Sequence, residues 1–115
     1  MINLLVDEAY AFDYLAILEV KNTLYPSVQK NETFLECRNY LKDQTVNFDD
    51  IYYSKEYRDL VEINRITFDL IDDLREGLDV TAKSIDDANM ERYYKKKALQ
   101  EKFFSNKLKE EKITK

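Results

Sequence analysis

The sequence predicts an all-α protein: an elongated helical bundle of about four helices, with the last two forming a long antiparallel hairpin. The 115 residues contain one glycine and one proline, so few positions break a helix. Apolar residues recur at intervals of three and four, which is the period of an amphipathic helix. A hydrophobic content of 44% is enough for a folded core. We expect one domain over 1–115, ordered to about residue 109, with a basic frayed tail at 110–115.

The first predicted helix runs from about Asn3 to Asn22. Its apolar residues share one face of the helix: Leu5, Val6, Ala9, Phe12, Ala16, Ile17 and Val20. Asp13 interrupts this face. Because a buried carboxylate is costly unless it is paired, we interpret Asp13 as a satisfied buried acid. The alternatives are a ligand, proton-transfer or metal carboxylate, and a group that meets a basic residue of a second subunit.

The second predicted helix follows Tyr25 and Pro26, because proline disfavours helix in the residue before it and suits a first helical turn. It starts between Pro26 and Asn31 and runs to about Lys42. Its inward residues are Phe34, Cys37 and Leu41. The segment from Asp43 to Asp50 is predicted to be a loop. Since Cys37 is the only cysteine, no internal disulfide is expected.

The third predicted helix begins near Asp49 or Ser54, both of which are good N-cap residues, and runs to Glu76. Its inner stripe consists of Tyr53, Tyr57, Leu60, Ile63, Ile71, Leu74 and Leu78. Asn64 interrupts this stripe, and single polar residues of this kind often fix helix register or oligomeric state. Gly77 directly follows Glu76, the last residue of this predicted helix, and is placed to take the left-handed conformation that ends a helix.

The fourth predicted helix starts near Thr81 or Ser84 and frays after about Lys109. Arg92 interrupts its apolar stripe as Asp13 interrupts that of the first helix, so we predict a buried Asp13–Arg92 pair. The short link after Gly77 makes the last two helices an antiparallel hairpin. We expect the shorter first two helices to leave apolar surface on this hairpin for a partner.

The composition argues against catalysis. The sequence has no histidine, so the commonest general base and metal ligand are missing, and it has no glycine-rich phosphate loop. We therefore predict a protein that is not an enzyme, with no metal site and no cofactor. The alternative is a Mg²⁺-dependent all-α hydrolase that uses carboxylates of the third helix, namely Glu62, Asp69 and Asp73.

The charge distribution suggests a partner-binding segment near the C-terminal end. Residues 1–91 carry 9 basic and 20 acidic side chains, whereas residues 92–115 carry 9 basic and 3 acidic ones. Cations there alternate with aromatic residues: Tyr93, Tyr94, Lys95, Lys96, Lys97, Phe103 and Phe104. We predict that this helix contacts a protein partner. A nucleic-acid accessory factor, acting through Arg92 and the three lysines, is the alternative; an ordinary division between core and solvent is another.

The function predicted from the sequence is a small non-enzymatic interaction or accessory protein that associates with itself, as a homodimer. The many tyrosine and phenylalanine residues support this prediction, because aromatic side chains are enriched at interfaces. No apolar run approaches the length that a membrane-spanning helix needs, and the first residues lack a basic segment typical of a signal peptide. We therefore expect a cytoplasmic protein that does not bind membranes.

Overall fold

The computed structural model describes residue 2 and residues 5–104, and this part of the chain forms five α-helices. Four are long and one is short: α1 (Glu8–Leu24), α2 (Val28–Gln44), α3 (Phe48–Tyr52), α4 (Lys55–Arg75) and α5 (Ala82–Phe103). The predicted all-α bundle is confirmed. The predicted continuation of the last helix to Lys109 and the predicted tail at 110–115 lie outside the described residues.

Hydroxyl side chains cap three of the four long helices. The Ser27 hydroxyl accepts a hydrogen bond from the Lys30 amide at the start of α2, at 3.1 Å. Ser54 caps α4 and Thr81 caps α5 in the same way. Each hydroxyl satisfies a backbone donor that has no partner within its helix. The start of α2 lies within the predicted range, and Ser54 and Thr81 are each one of the two N-cap residues predicted for their helices.

Three features differ from the prediction. α1 begins at Glu8 rather than Asn3, and Leu5 is fully exposed before it. The loop predicted at 43–50 is only three residues long, because α2 continues to Gln44 and α3 begins at Phe48. Of the two predicted starts of the third helix, Ser54 is the N-cap of α4, whereas Asp49 lies in the separate short helix α3, because the chain turns at Tyr53 and Ser54 before α4 begins. The apolar period runs across this turn, so periodicity alone does not reveal it.

α4 and α5 form the predicted antiparallel hairpin and make the most extensive helix contact in the described chain. Gly77 has φ of 77°, and the amides of Gly77 and Leu78 donate to the carbonyls of Leu74 and Asp73, which closes α4. Lys102 at the end of α5 lies 2.8 Å from Glu56 at the start of α4. With 21 and 22 residues, each arm is about 32 Å long.

The core lies where α1 crosses the hairpin, with α2 and α3 covering α1 and the start of α4. Phe12 of α1 is at its centre, with ring centroids 5.8 Å from Phe48 and 6.1 Å from Tyr57. The cluster of buried apolar residues at the core consists of Ala9, Phe12, Leu15, Ala16, Phe34, Leu41, Phe48, Ile51, Tyr57, Leu60, Ile63, Ala88 and Leu99, and Val20 is also buried. They come from all five helices, so the described helices share one core.

Candidate functional site

The most unusual group in the core is a buried ion pair that joins three helices. α1 supplies Asp13, whose side chain is 3% exposed, and α5 supplies Arg92, which is 28% exposed. Nε of Arg92 donates to both carboxylate oxygens, at 3.0 and 3.1 Å, and Nη2 donates to Oδ2. Asn64 of α4 donates from Nδ2 to Oδ1 at 2.9 Å. The structure thus brings together the three residues that interrupt apolar stripes in the sequence.

Asn64 and its neighbour Thr67 also donate to backbone carbonyls of α4. Asn64 Nδ2 also donates to the carbonyl of Leu60, one turn earlier in α4, at 3.0 Å. Thr67, on the same face, donates to the carbonyl of Ile63 at 2.8 Å. Among the described residues, no buried side-chain nitrogen or oxygen lacks a hydrogen-bond partner. Charge-assisted bonds from a guanidinium to a carboxylate are strong and directional, so this arrangement is suited to fixing the register of α1 on the hairpin.

A second buried polar contact, which sequence reasoning missed, ties the start of α1 to the end of α5. Gln100 is fully buried, and its Oε1 accepts a hydrogen bond from the Ala9 amide at 2.8 Å. Its Nε2 donates to Glu8 at 2.9 Å. Asp7 occupies the N-cap position of α1 but its side chain makes no capping bond there. Gln100 therefore supplies, from 91 positions away, part of what a local cap normally supplies.

A third polar cluster surrounds Glu19, on the side of α1 that faces α3 and α4. Its carboxylate accepts from the hydroxyls of Tyr52, at 3.1 Å, and Tyr57, at 3.3 Å. It also pairs with Arg58 at 2.8 Å, and that guanidinium lies over both tyrosine rings. Burial, followed by the charge of Glu19, raises the pKa of Tyr57 well above its ordinary value of 10.0. These phenols therefore stay protonated and donate to Glu19 at neutral pH.

Helical periodicity does not predict the cluster around Glu19. On the wheel of α1, Glu19 falls on the polar arc opposite the main core face, where a solvated acid is the ordinary expectation. It becomes partly buried because α3 turns Tyr52 over it, and a turn of that kind is not encoded in helical periodicity.

The basic and aromatic residues predicted to bind a partner do not form one exposed surface. Lys96 is only 5% exposed, and its ammonium lies 5.7 Å from the centre of the Tyr10 ring. Lys95 lies 3.8 Å from Asp59 of α4, whereas Lys97 is exposed. The prediction is therefore corrected for Lys96, which α1 covers because it lies on the same side of α5 as Arg92.

The aromatic residues of the same segment are also divided. Phe103 and Phe104 are half-buried and pack against the core, and the ring of Phe104 is 6.3 Å from that of Phe12. Tyr93 is half-buried, while Tyr94 is 57% exposed and meets Tyr93 edge to face. The two phenylalanines thus serve the core, and of the four aromatic residues only Tyr94 is mainly exposed.

The acidic residues considered as magnesium ligands lie along the outside of α4. Arg65 pairs with Glu62 at 2.5 Å and with Asp69 at 2.7 Å. Asp73, half-buried, lies one turn further along α4. Over residues 5–104, no three cysteine or acidic side chains come together in a way that could hold a metal ion.

These contacts define an all-α bundle whose first helix is locked onto a long hairpin by buried polar groups. No helix in the described part of the chain combines the length and apolar character needed to cross a membrane. Comparison of the chain with models of protein families, with curated proteins and with solved structures gave no match.

Proposed function

We propose that this chain is a small non-enzymatic interaction protein that associates with a second copy of itself. The observation that carries the proposal is an exposed pair of tyrosines on α1. Tyr10 is 48% exposed and Tyr14, one turn later, is 52% exposed. Tyrosine is enriched in the centres of protein interfaces because it combines a large apolar ring with a hydroxyl that can donate and accept.

The surroundings of this pair suit contact between identical chains. A two-fold interface places the same residues opposite each other, so a strongly charged surface would repel its copy. Tyr10 and Tyr14 are uncharged, and the ammonium of Lys96 near the Tyr10 ring is itself buried. The two rings can therefore stack on those of a second copy and exchange hydrogen bonds, and their own side chains add no charge to the interface.

The buried polar clusters support an interaction role over a catalytic one. Asp13 and Glu19 each accept hydrogen bonds from an arginine and from other side chains. These carboxylates are committed to holding helices together, which leaves the exposed side chains to carry the function. The nucleic-acid alternative has less support, because Arg92 and Lys96 lie against α1. The magnesium alternative has less support, because Glu62 and Asp69 already pair with the guanidinium of Arg65.

Solution mass, measured by light scattering after size exclusion, tests self-association. We expect a dimer whose dissociation constant rises at least tenfold in the variant Tyr14→Ser, because a central interface tyrosine typically contributes more than about 1.4 kcal/mol. Tyr40→Ser, at a 59% exposed tyrosine on α2, is the matched control and should leave the mass unchanged. Since both protomers carry net charge −5, added salt should preserve or strengthen the dimer. A monomer at every concentration and salt would refute the proposal.

A further inference from the structure

The far end of the α4–α5 hairpin has no buried residue. We call residues 68–87 the hairpin tip; it comprises the second half of α4, the turn at Gly77 and the start of α5. The first half of α4 buries Tyr57, Leu60, Ile63, Asn64 and Thr67. From residue 68 to residue 87 every position is half-buried or exposed, although apolar residues continue through it. The apolar face thus extends beyond the helices that cover it.

Helical register shows that this is the same face as the core. At about 100° per residue, Ile71 points in the direction of the buried Leu60 and Thr67, and Leu74 lies within a turn of it. Nevertheless Ile71 is half-buried and Leu74 is 50% exposed. The end of α1 reaches the edge of the tip, where the Tyr25 hydroxyl donates to Asp72. Lys21 is 6.0 Å from the ring of Phe68.

The other arm contributes to the same uncovered face. The antiparallel register that pairs Glu56 with Lys102 and Asp59 with Lys95 places Ile71 level with Ile85 of α5. Ile85 is half-buried. Leu78, just past Gly77, is 54% exposed and closes the end of the face. The tip therefore presents a shallow apolar strip between two helices, a shape that accepts the apolar side of a third helix.

The negative charge of the hairpin tip favours a basic partner. Residues 68–87 contain seven acidic and two basic side chains, a net charge of −5, which equals the net charge of the whole chain. Two tips brought together would place like charges around the apolar strip, which costs several kcal/mol in an interface. A second copy of the tip is therefore disfavoured, and a basic helix is favoured.

We propose that the hairpin tip is a docking surface for a basic amphipathic helix of a partner protein. The apolar side of the partner helix covers Ile71, Leu74, Leu78 and Ile85. The lysines or arginines of that helix face the acidic side chains around them. This proposal rests on the proposed role as an interaction protein, but it does not depend on the tyrosine pair of α1 or on self-association.

The test uses a fluorescent helical peptide made of leucine and lysine in an amphipathic pattern, and measures its binding to the full chain by anisotropy. The matched peptide carries glutamate in place of lysine. Two tip variants are compared with wild type: Glu76→Gln/Asp79→Asn/Asp86→Asn, which removes exposed charge, and Leu74→Ala/Leu78→Ala, which removes apolar surface. Their controls lie elsewhere: Glu32→Gln/Glu36→Gln/Asp43→Asn on α2, and Val46→Ala in the turn before α3.

We expect each tip variant to weaken lysine-peptide binding at least tenfold, and each control to change it less than twofold. Binding should weaken as salt rises, because opposite charges are screened, which is the reverse of the salt effect expected for the dimer. Equal binding by the tip variants and their controls, or by the glutamate peptide, would overturn the proposal.

The same variants separate this proposal from self-association. If Leu74→Ala/Leu78→Ala converts a dimer to a monomer, a second copy covers the tip and the basic-helix proposal is wrong. If the wild-type chain is a monomer that binds the lysine peptide through the tip, only the self-association proposal fails. If it is a dimer that does not bind the lysine peptide, only the tip proposal fails.

Discussion

Replacing Asp13 by asparagine should destabilise the fold more than any surface charge change. The substitution keeps the size of the side chain and one oxygen for Asn64, but it turns an amide NH₂ towards the donors of Arg92. Breaking a buried ion pair from one side costs about 3–5 kcal/mol. Because Arg92 is 28% exposed, water recovers part of the loss, and we expect about 3 kcal/mol.

Urea unfolding at neutral pH, followed by circular dichroism, measures this cost directly. For a chain of 115 residues, 1 kcal/mol corresponds to about 4 °C in melting temperature, so Asp13→Asn should melt about 12 °C below wild type. The control is Asp69→Asn, which breaks a half-exposed pair with Arg65 and should cost less than about 1 kcal/mol.

A double-mutant cycle with Arg92→Met identifies the source of the loss. If the pair is the cause, Asp13→Asn and Arg92→Met together should cost at least about 1.5 kcal/mol less than the sum of the single changes. A loss below about 0.5 kcal/mol for Asp13→Asn, or strictly additive losses, would refute the idea that this pair locks α1 onto the hairpin.

Two further predictions concern the other polar contacts. Gln100→Leu leaves the Ala9 amide without its acceptor and should lower the free energy of unfolding in urea by about 1–3 kcal/mol. The control Gln29→Leu, on the exposed side of α2, should be nearly neutral. Equal effects of the two substitutions would mean that the Gln100 contact does not stabilise the start of α1. The second follows from Tyr57, whose pKa in the folded chain is raised above that in the unfolded chain. Above about pH 10 the unfolded chain releases this proton and the folded chain keeps it, so the free energy of unfolding, fully present below pH 10, should fall by up to about 1.4 kcal/mol per pH unit from this group. Tyr57→Phe should make the free energy of unfolding depend less steeply on pH between pH 9 and 11. An unchanged dependence would contradict the raised pKa of Tyr57.

Much of this architecture follows from the period of apolar residues. Each long helix has a face that can be identified residue by residue, so a polar residue on that face stands out. Asp13, Asn64 and Arg92 were each recognised in this way, and the three lie together in the structure. Burying an isolated charge is too costly, so a charged residue on a core face predicts a partner on another core face.

Periodicity also has clear limits in this chain. It gives the direction of a side chain around a helix but not how far along the helix the covering elements extend. The apolar period places Ile71 and Leu74 on the inner stripe, yet Ile71 is half-buried and Leu74 is 50% exposed, because both lie beyond the part of α4 that the other helices bury. The Gln100 contact could not be found from the sequence either, because an uncharged amide on a helix predicts no particular partner.

The contact between Gln100 and the start of α1 has a consequence for the chain as it is synthesised. α1 is made before α5, but the Ala9 amide in its first turn donates to Gln100, and Asp13 pairs with Arg92, so both partners come from α5. Until α5 has left the ribosome, the Asp13 carboxylate and the Ala9 amide of the growing chain lack these partners. We therefore expect the native fold to form late and in one cooperative step, and chains truncated between residues 92 and 99 to be the most informative nascent intermediates.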